Sequence, residues 1–149
     1  MAESDTSAPT VSEERLQLLY WSDVSALSNE ELSAGLPEDE YLRRAAAVTK
    51  LELFMNTMDH PEHLEDFPNL VELAIPLETY PRALHLVDMR QLQRLCLTET
   101  GLTELAGIEN CAALTHLDCS HNKISELDGR VLRRLPRLRQ LWMNDNAIE

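Results

Sequence analysis

The sequence predicts an α/β solenoid: a stack of short coils, each lending one strand to a shared parallel sheet, with helical segments on the other side. Three observations carry this. One apolar frame, spaced 1, 4, 6 and 11, can be laid down five times, beginning at Val48, Leu70, Leu92, Leu114 and Leu138. The steps between starts are 22, 22, 22 and 24 residues, a period that belongs to repeat architectures. The second and third apolar positions of each unit are two apart, so both point to the same side of a strand.

The units fill the frame consistently. The second position holds Leu51, Leu73, Leu95, Leu117 and Leu141, the third Leu53, Ile75, Leu97, Cys119 and Met143, and the last Met58, Tyr80, Leu102, Ile124 and Ile148. A further slot holds Asn56, Asn122 and Asn146, with Glu78 and Thr100 in the second and third units. An asparagine there can turn inward and satisfy backbone groups left over where the strand bends away. Thr100 can do part of that job, whereas Glu78 cannot donate unless protonated. With Pro76 and Pro81 on either side, the second unit is expected to be irregular. Beyond each strand, apolar residues return at roughly helical spacing: Leu64 and Phe67, Leu86 and Met89, Leu105 with Ile108 and Cys111, then Leu127, Val131 and Leu135. They predict short α or 3-10 segments on the convex side, with a fuller α-helix in the longer fourth unit.

The frame L-x-x-L-x-L-x-x-N-x-L resembles that of leucine-rich repeat solenoids. The stretches Leu102–Cys111 and Leu114–Leu127 look like the SDS22-like class of that superfamily, an intracellular one. The run Leu135–Ile148 is similar to segments of ciliary and flagellar members, and Lys50–Ile75 resembles the start of a large multi-repeat ciliary member. The resemblance implies a non-enzymatic module or scaffold for protein partners, in the N-terminal part of a larger ciliary, flagellar or cytoskeletal protein. It leaves open a phosphatase regulatory subunit of SDS22 type, an acidic histone or ribonucleoprotein adaptor, and a self-assembling structural unit.

Residues 1–9 are small and polar and are expected to be disordered, and residues 10–47 to form a helical cap on the first repeat of a region spanning 48–149. Thr10 with Glu13 is a possible capping box, and Ser28 with Glu31 a better one, with Leu27 and Leu32 at staple positions and Gly35 then Pro37 ending the segment. A third helix is expected over 38–46, with Glu40 and Arg44 one turn apart. Leu18, Tyr20 and Trp21 either belong to this cover or bind a partner. The last repeat is expected to be incomplete, without a cap of its own. Its Leu138, Leu141, Met143 and Ile148 should stand partly open on an unpaired edge, where another chain or further repeats could make contact.

The formal charge is −13. Residues 1–48 hold ten Asp/Glu against Arg15, Arg43 and Arg44, a balance of −7, and the rest holds sixteen acids against ten bases. Such a surface argues against nucleic acid, whose phosphates need a basic face. No apolar stretch is long enough for a signal peptide or membrane span, and no cysteine cluster flanks the repeats, so a soluble, cytoplasmic chain is expected.

Side chains between the core leucines should face outward on the concave side. They form three columns: Lys50, Glu72, Arg94, His116 and Gln140; Glu52, Ala74, Cys96, Asp118 and Trp142; and Phe54, Pro76, Thr98, Ser120 and Asn144. Trp142, Arg94 and Phe54 are the anchor types of protein interfaces. Five strands about 4.8 Å apart span only about 19 Å, room for a short peptide rather than a globular partner. A second candidate is a basic strip, Arg130, Arg133, Arg134, Arg137 and Arg139, either a solvated helix face or a dock for an acidic partner. Cys96, His116 and Asp118 have metal-ligand chemistry but no fourth ligand, and His60 and His63 no third. No metal, cofactor or catalytic group is therefore assigned. Phosphate loops and nucleophile elbows are absent from the sequence.

Overall fold

The computed structural model describes residues 9–23, 27–53, 63–76 and 89–149. Phe54, Asn56, His60, Glu78, Tyr80 and Leu86 lie outside the described residues, as does most of the second coil's expected irregularity.

Five three-residue strands form one sheet in sequence order: β1 (Lys50–Glu52), β2 (Glu72–Ala74), β3 (Arg94–Cys96), β4 (His116–Asp118) and β5 (Gln140–Trp142). Every neighbouring pair is parallel. The register is the repeat itself, with Leu51 beside Leu73, Leu73 beside Leu95, Leu95 beside Leu117 and Leu117 beside Leu141. Backbone bonds extend each ladder past the strands, as in Leu97 N to Asp118 O at 2.7 Å and Cys119 N to Trp142 O at 2.9 Å. The leucines of β1–β4 are 0–2% exposed and make one continuous core with Ile75, Leu102 and Ile124.

Each described coil leaves its strand through the same backbone device. Glu99, His121 and Asp145, all one residue before the asparagine slot, adopt the left-handed conformation at φ 58°, 57° and 54°. Convex 3-10 turns follow at Leu64–Asp66 and Ile108–Asn110, placing Leu64, Phe67, Ile108 and Cys111 in the core. The longer fourth coil has a true if short helix, α4 (Gly129–Arg133), capped by the Asp128 side chain. Leu127, expected inside, stands just ahead of that cap and is 39% exposed.

Three helices precede the sheet: α1 (Glu13–Tyr20), α2 (Asn29–Ala34) and α3 (Glu38–Ala45). The cap of α1 is Ser12, which accepts from Arg15 N, and not Thr10. Thr10 is committed elsewhere, in an antiparallel bridge with Pro37 that brings Val11 N to Leu36 O at 2.9 Å. That bridge explains Gly35: its φ is +81°, and a Cβ there would lie 2.9 Å from Thr10 Cβ. The Ser28–Glu31 capping box is present. Leu32, expected to staple it, is 38% exposed instead. α3 ends one residue before the expected boundary, and Arg44 joins Glu40 at 2.7 Å and Glu31 at 2.6 Å, tying α3 to α2.

Arg15 links the helices to the first coil. Its guanidinium makes two bonds to the Asp66 carboxylate, at 2.8 and 3.3 Å, and lies 4.7 Å above the Tyr41 ring. Tyr41 is fully buried and meets Phe67 edge-on. At the other end β5 pairs with β4 alone among the described residues. Leu138, Leu141 and Met143 are half-buried and Ile148 is exposed.

Candidate functional site: the concave sheet face

The parallel register turns the outward side chains into rows. Lys50, Glu72, Arg94 and His116 follow one another along one row, and Glu52, Ala74, Cys96, Asp118 and Trp142 along the next. These nine line a trough of about 260 Å³. Ala74 and Cys96, the two short side chains, make its low centre. Glu52 and Asp118 stand to either side of them, with Trp142 beyond Asp118.

Charges along the first row are largely matched. Lys50 Nζ is 2.8 Å from Glu52 Oε1, and Arg94 Nη1 is 3.8 Å from Glu72 Oε1. Asp118 has no cationic partner among the described residues. Its Oδ1 accepts from Ser120 N at 3.0 Å and fixes the bend out of β4. The Trp142 indole is 40% exposed and stacks on the His116 imidazole, with ring centroids 6.2 Å apart and planes 25° from parallel. His116 Nδ1 is in turn 2.7 Å from Thr115 Oγ1, so the aromatic end of the trough is held in place from behind.

Other candidates fall outside this arrangement. Gln140 and Asn144 are exposed but do not line the trough. Thr98 is half-buried with its hydroxyl 3.3 Å from Cys96 Sγ. Ser120, expected on the exposed face, is 5% exposed, because the chain has already turned inward and its carbonyl accepts from Asn122 Nδ2. Cys96, His116 and Asp118 all border the trough. Even so, among the described residues no three His, Cys, Asp or Glu side chains converge as a metal site. Arg130 and Arg133 lie in α4, Arg134 caps it, and Arg137 and Arg139 follow. All five are exposed, and none forms an ion pair among the described residues.

One contribution has no periodic signal in the sequence. After α1 the chain crosses to the outer side of β1, where Ser22 bridges Leu51 antiparallel and Asp23 N bonds Lys50 O at 3.0 Å. The Asp23 carboxylate accepts from Thr49 N at 3.1 Å and Thr49 Oγ1 at 2.7 Å. The first strand is therefore not an open edge. The exposed Tyr20–Trp21 pair, edge-to-face at 5.5 Å, stands beside it.

Residues 90–129 and 112–149 match the family described as Leucine Rich repeats (2 copies). The fold is a leucine-rich repeat solenoid. Similar solved structures are internalins of Listeria monocytogenes. Internalin C2 superposes with a TM-score of 0.64 at 14% identity over 89% of this chain and 64% of its own. Internalin inlF gives 0.62 at 19% identity over 73% of this chain and 32% of its own. A leucine-rich repeat protein of Leptospira interrogans gives 0.51 at 20% identity over 73% and 34%. The chain thus spans less than two thirds of each of these structures. Comparison of the sequence with curated proteins gives no match. Among the described residues no helix is long and apolar enough to cross a membrane.

Proposed function

We propose that this leucine-rich repeat solenoid is a non-enzymatic recognition module that receives an extended segment of a protein partner across its concave sheet. The observation behind this reading is the trough. Five strands in strict register bring an exposed, pre-stacked Trp142, two ion pairs and a low Ala74–Cys96 centre onto one open face. An aromatic side chain held in place before binding is what an interface anchor requires.

The ciliary, flagellar or cytoskeletal setting rests on the resemblance of Leu135–Ile148 and Lys50–Ile75 to such proteins. The phosphatase-regulatory and histone-adaptor readings use the same face with other partners. The test is selection of peptides against the chain from a random displayed library. Selected peptides should change Trp142 fluorescence, shield Cys96 from alkylation and lose binding to the Trp142→Ala variant. Binders that leave both residues untouched, and that depend instead on Arg133 and Arg134, would move the site to the convex strip.

A further inference from the structure

Given the concave face as the binding surface, on which this inference rests, we propose that the trough takes one cationic side chain, an arginine or lysine carried on an extended partner segment, between the Asp118 carboxylate and the Trp142 indole. Neighbouring strands put these two groups side by side in register, about 4.8 Å apart at the backbone.

The charge distribution points to Asp118. Glu52 and Glu72 already have cations, Lys50 at 2.8 Å and Arg94 at 3.8 Å. Among the described residues Asp118 has only the amide of Ser120, on one of its oxygens. Arg94 is turned to Glu72, although it stands next to Asp118's strand. A carboxylate beside an aromatic face attracts a cation twice over, through charge and through the ring quadrupole. Trp142 already rests its ring against His116, which lowers the ordering cost on binding.

Shape agrees with charge. Ala74 and Cys96 leave room beside Asp118 for the aliphatic stem of an arginine or lysine, and 260 Å³ suits one long side chain rather than a folded domain. The trough is open along the sheet, so the chain carrying that side chain can continue over the flanking rows. At longer range the net charge of −13 draws basic segments toward the molecule and repels acidic ones.

The probe is a nine-residue peptide of alternating arginine and serine, compared with its glutamate-for-arginine counterpart and with free arginine. The chain has two tryptophans, so in a Trp21→Phe background Trp142 alone reports. The arginine peptide should bind at least ~10-fold more tightly than either comparison ligand. Asp118→Asn keeps an acceptor for Ser120 N but removes the charge, and should weaken binding ~10-fold. Asp39→Asn removes an equal charge from the exposed start of α3 and should change it less than ~2-fold. Arg94→Ala removes a competing cation and should strengthen binding. Equal losses in Asp118→Asn and Asp39→Asn would reduce the effect to general charge attraction and overturn the proposal. So would free arginine binding as tightly as the peptide. Library peptides that shift Trp142 with no preference for cations would leave the concave-face function standing and remove this inference. If no peptide of either sign shifts Trp142 or shields Cys96, the function itself falls.

Discussion

The side chain of Asn122 reaches across one coil to Thr100, accepting from its backbone N at 3.0 Å and its hydroxyl at 3.2 Å. The same oxygen accepts from Leu102 N at 2.9 Å, and the Asn122 amide donates to the carbonyls of Leu97 and Cys119 at 2.7 and 2.9 Å. One buried amide thus satisfies backbone groups of two successive coils. Asn122→Ala leaves several of them unpaired and should cost about 3 kcal/mol in urea unfolding. Asn146, the equivalent residue at the half-exposed last coil, should cost about 1 kcal/mol.

Arg15 and Asp66 join the helical segment to the first coil. Arg15 and Asp66 side chains are only 15% and 11% exposed. Burial opposes the guanidinium charge, yet its bonds to Asp66 and Glu38 outweigh that and hold its pKa above the ordinary value. Arg15→Ala should cost about 2 kcal/mol, and a double-mutant cycle with Asp66→Ala should return a coupling of about 1–2 kcal/mol. Additivity of the two changes would show that the helices are held by apolar packing alone.

Acid should loosen the same region first. Hydrogen bonds from Arg43, then Arg44, bring the Glu40 carboxyl down from 4.5 to about 2. At Asp23 burial acts the other way, but bonds from Thr49 and from backbone amides outweigh it and lower the pKa. A carboxyl that titrates lower when folded stabilises the fold above its unfolded pKa, and that contribution disappears as pH falls through the folded value. The thermal midpoint should therefore hold down to about pH 4.5 and fall between there and about pH 2. In Glu40→Gln combined with Asp23→Asn the fall should be shallower.

The three thiols should separate by position. Burial pushes Cys111 up to about 12, with Glu109 adding to it, and Cys119 up to about 12, with Asp118 adding to it. Cys96 is partly exposed on the trough. A thiol reagent at pH 8 should modify Cys96 in the folded chain, and all three after unfolding. Rapid modification of Cys111 or Cys119 would mean that coils open locally.

The repeat was legible because one physical requirement recurs: Leu51, Leu73, Leu95, Leu117 and Leu141 must reach the same core from strands that hydrogen-bond side by side. The rows of outward residues follow from that register. What escaped depended on single long-range contacts. Thr10 reads as a helix cap but is taken by Pro37, 27 residues away. Ser22 and Asp23 follow a helix with no alternation, so nothing local shows that they flank β1. Ser120 has the spacing of an exposed residue, yet its strand ends at Asp118 and the turn carries it inward. The ion pairs that leave Asp118 unmatched depend on side-chain rotamers, which no spacing reveals.

Because coils meet only at their flanks, the molecule is divisible in whole units. Excising residues 92–113, one 22-residue period, would set Ala74 directly beside Asp118 and keep the Asp118–Trp142 neighbourhood intact, while shortening the inner wall by about 4.8 Å. If the concave face binds as proposed, reach and chemistry would be separable: the length of peptide engaged would follow the number of rungs, while the Asp118–Trp142 pair would still select the anchoring side chain.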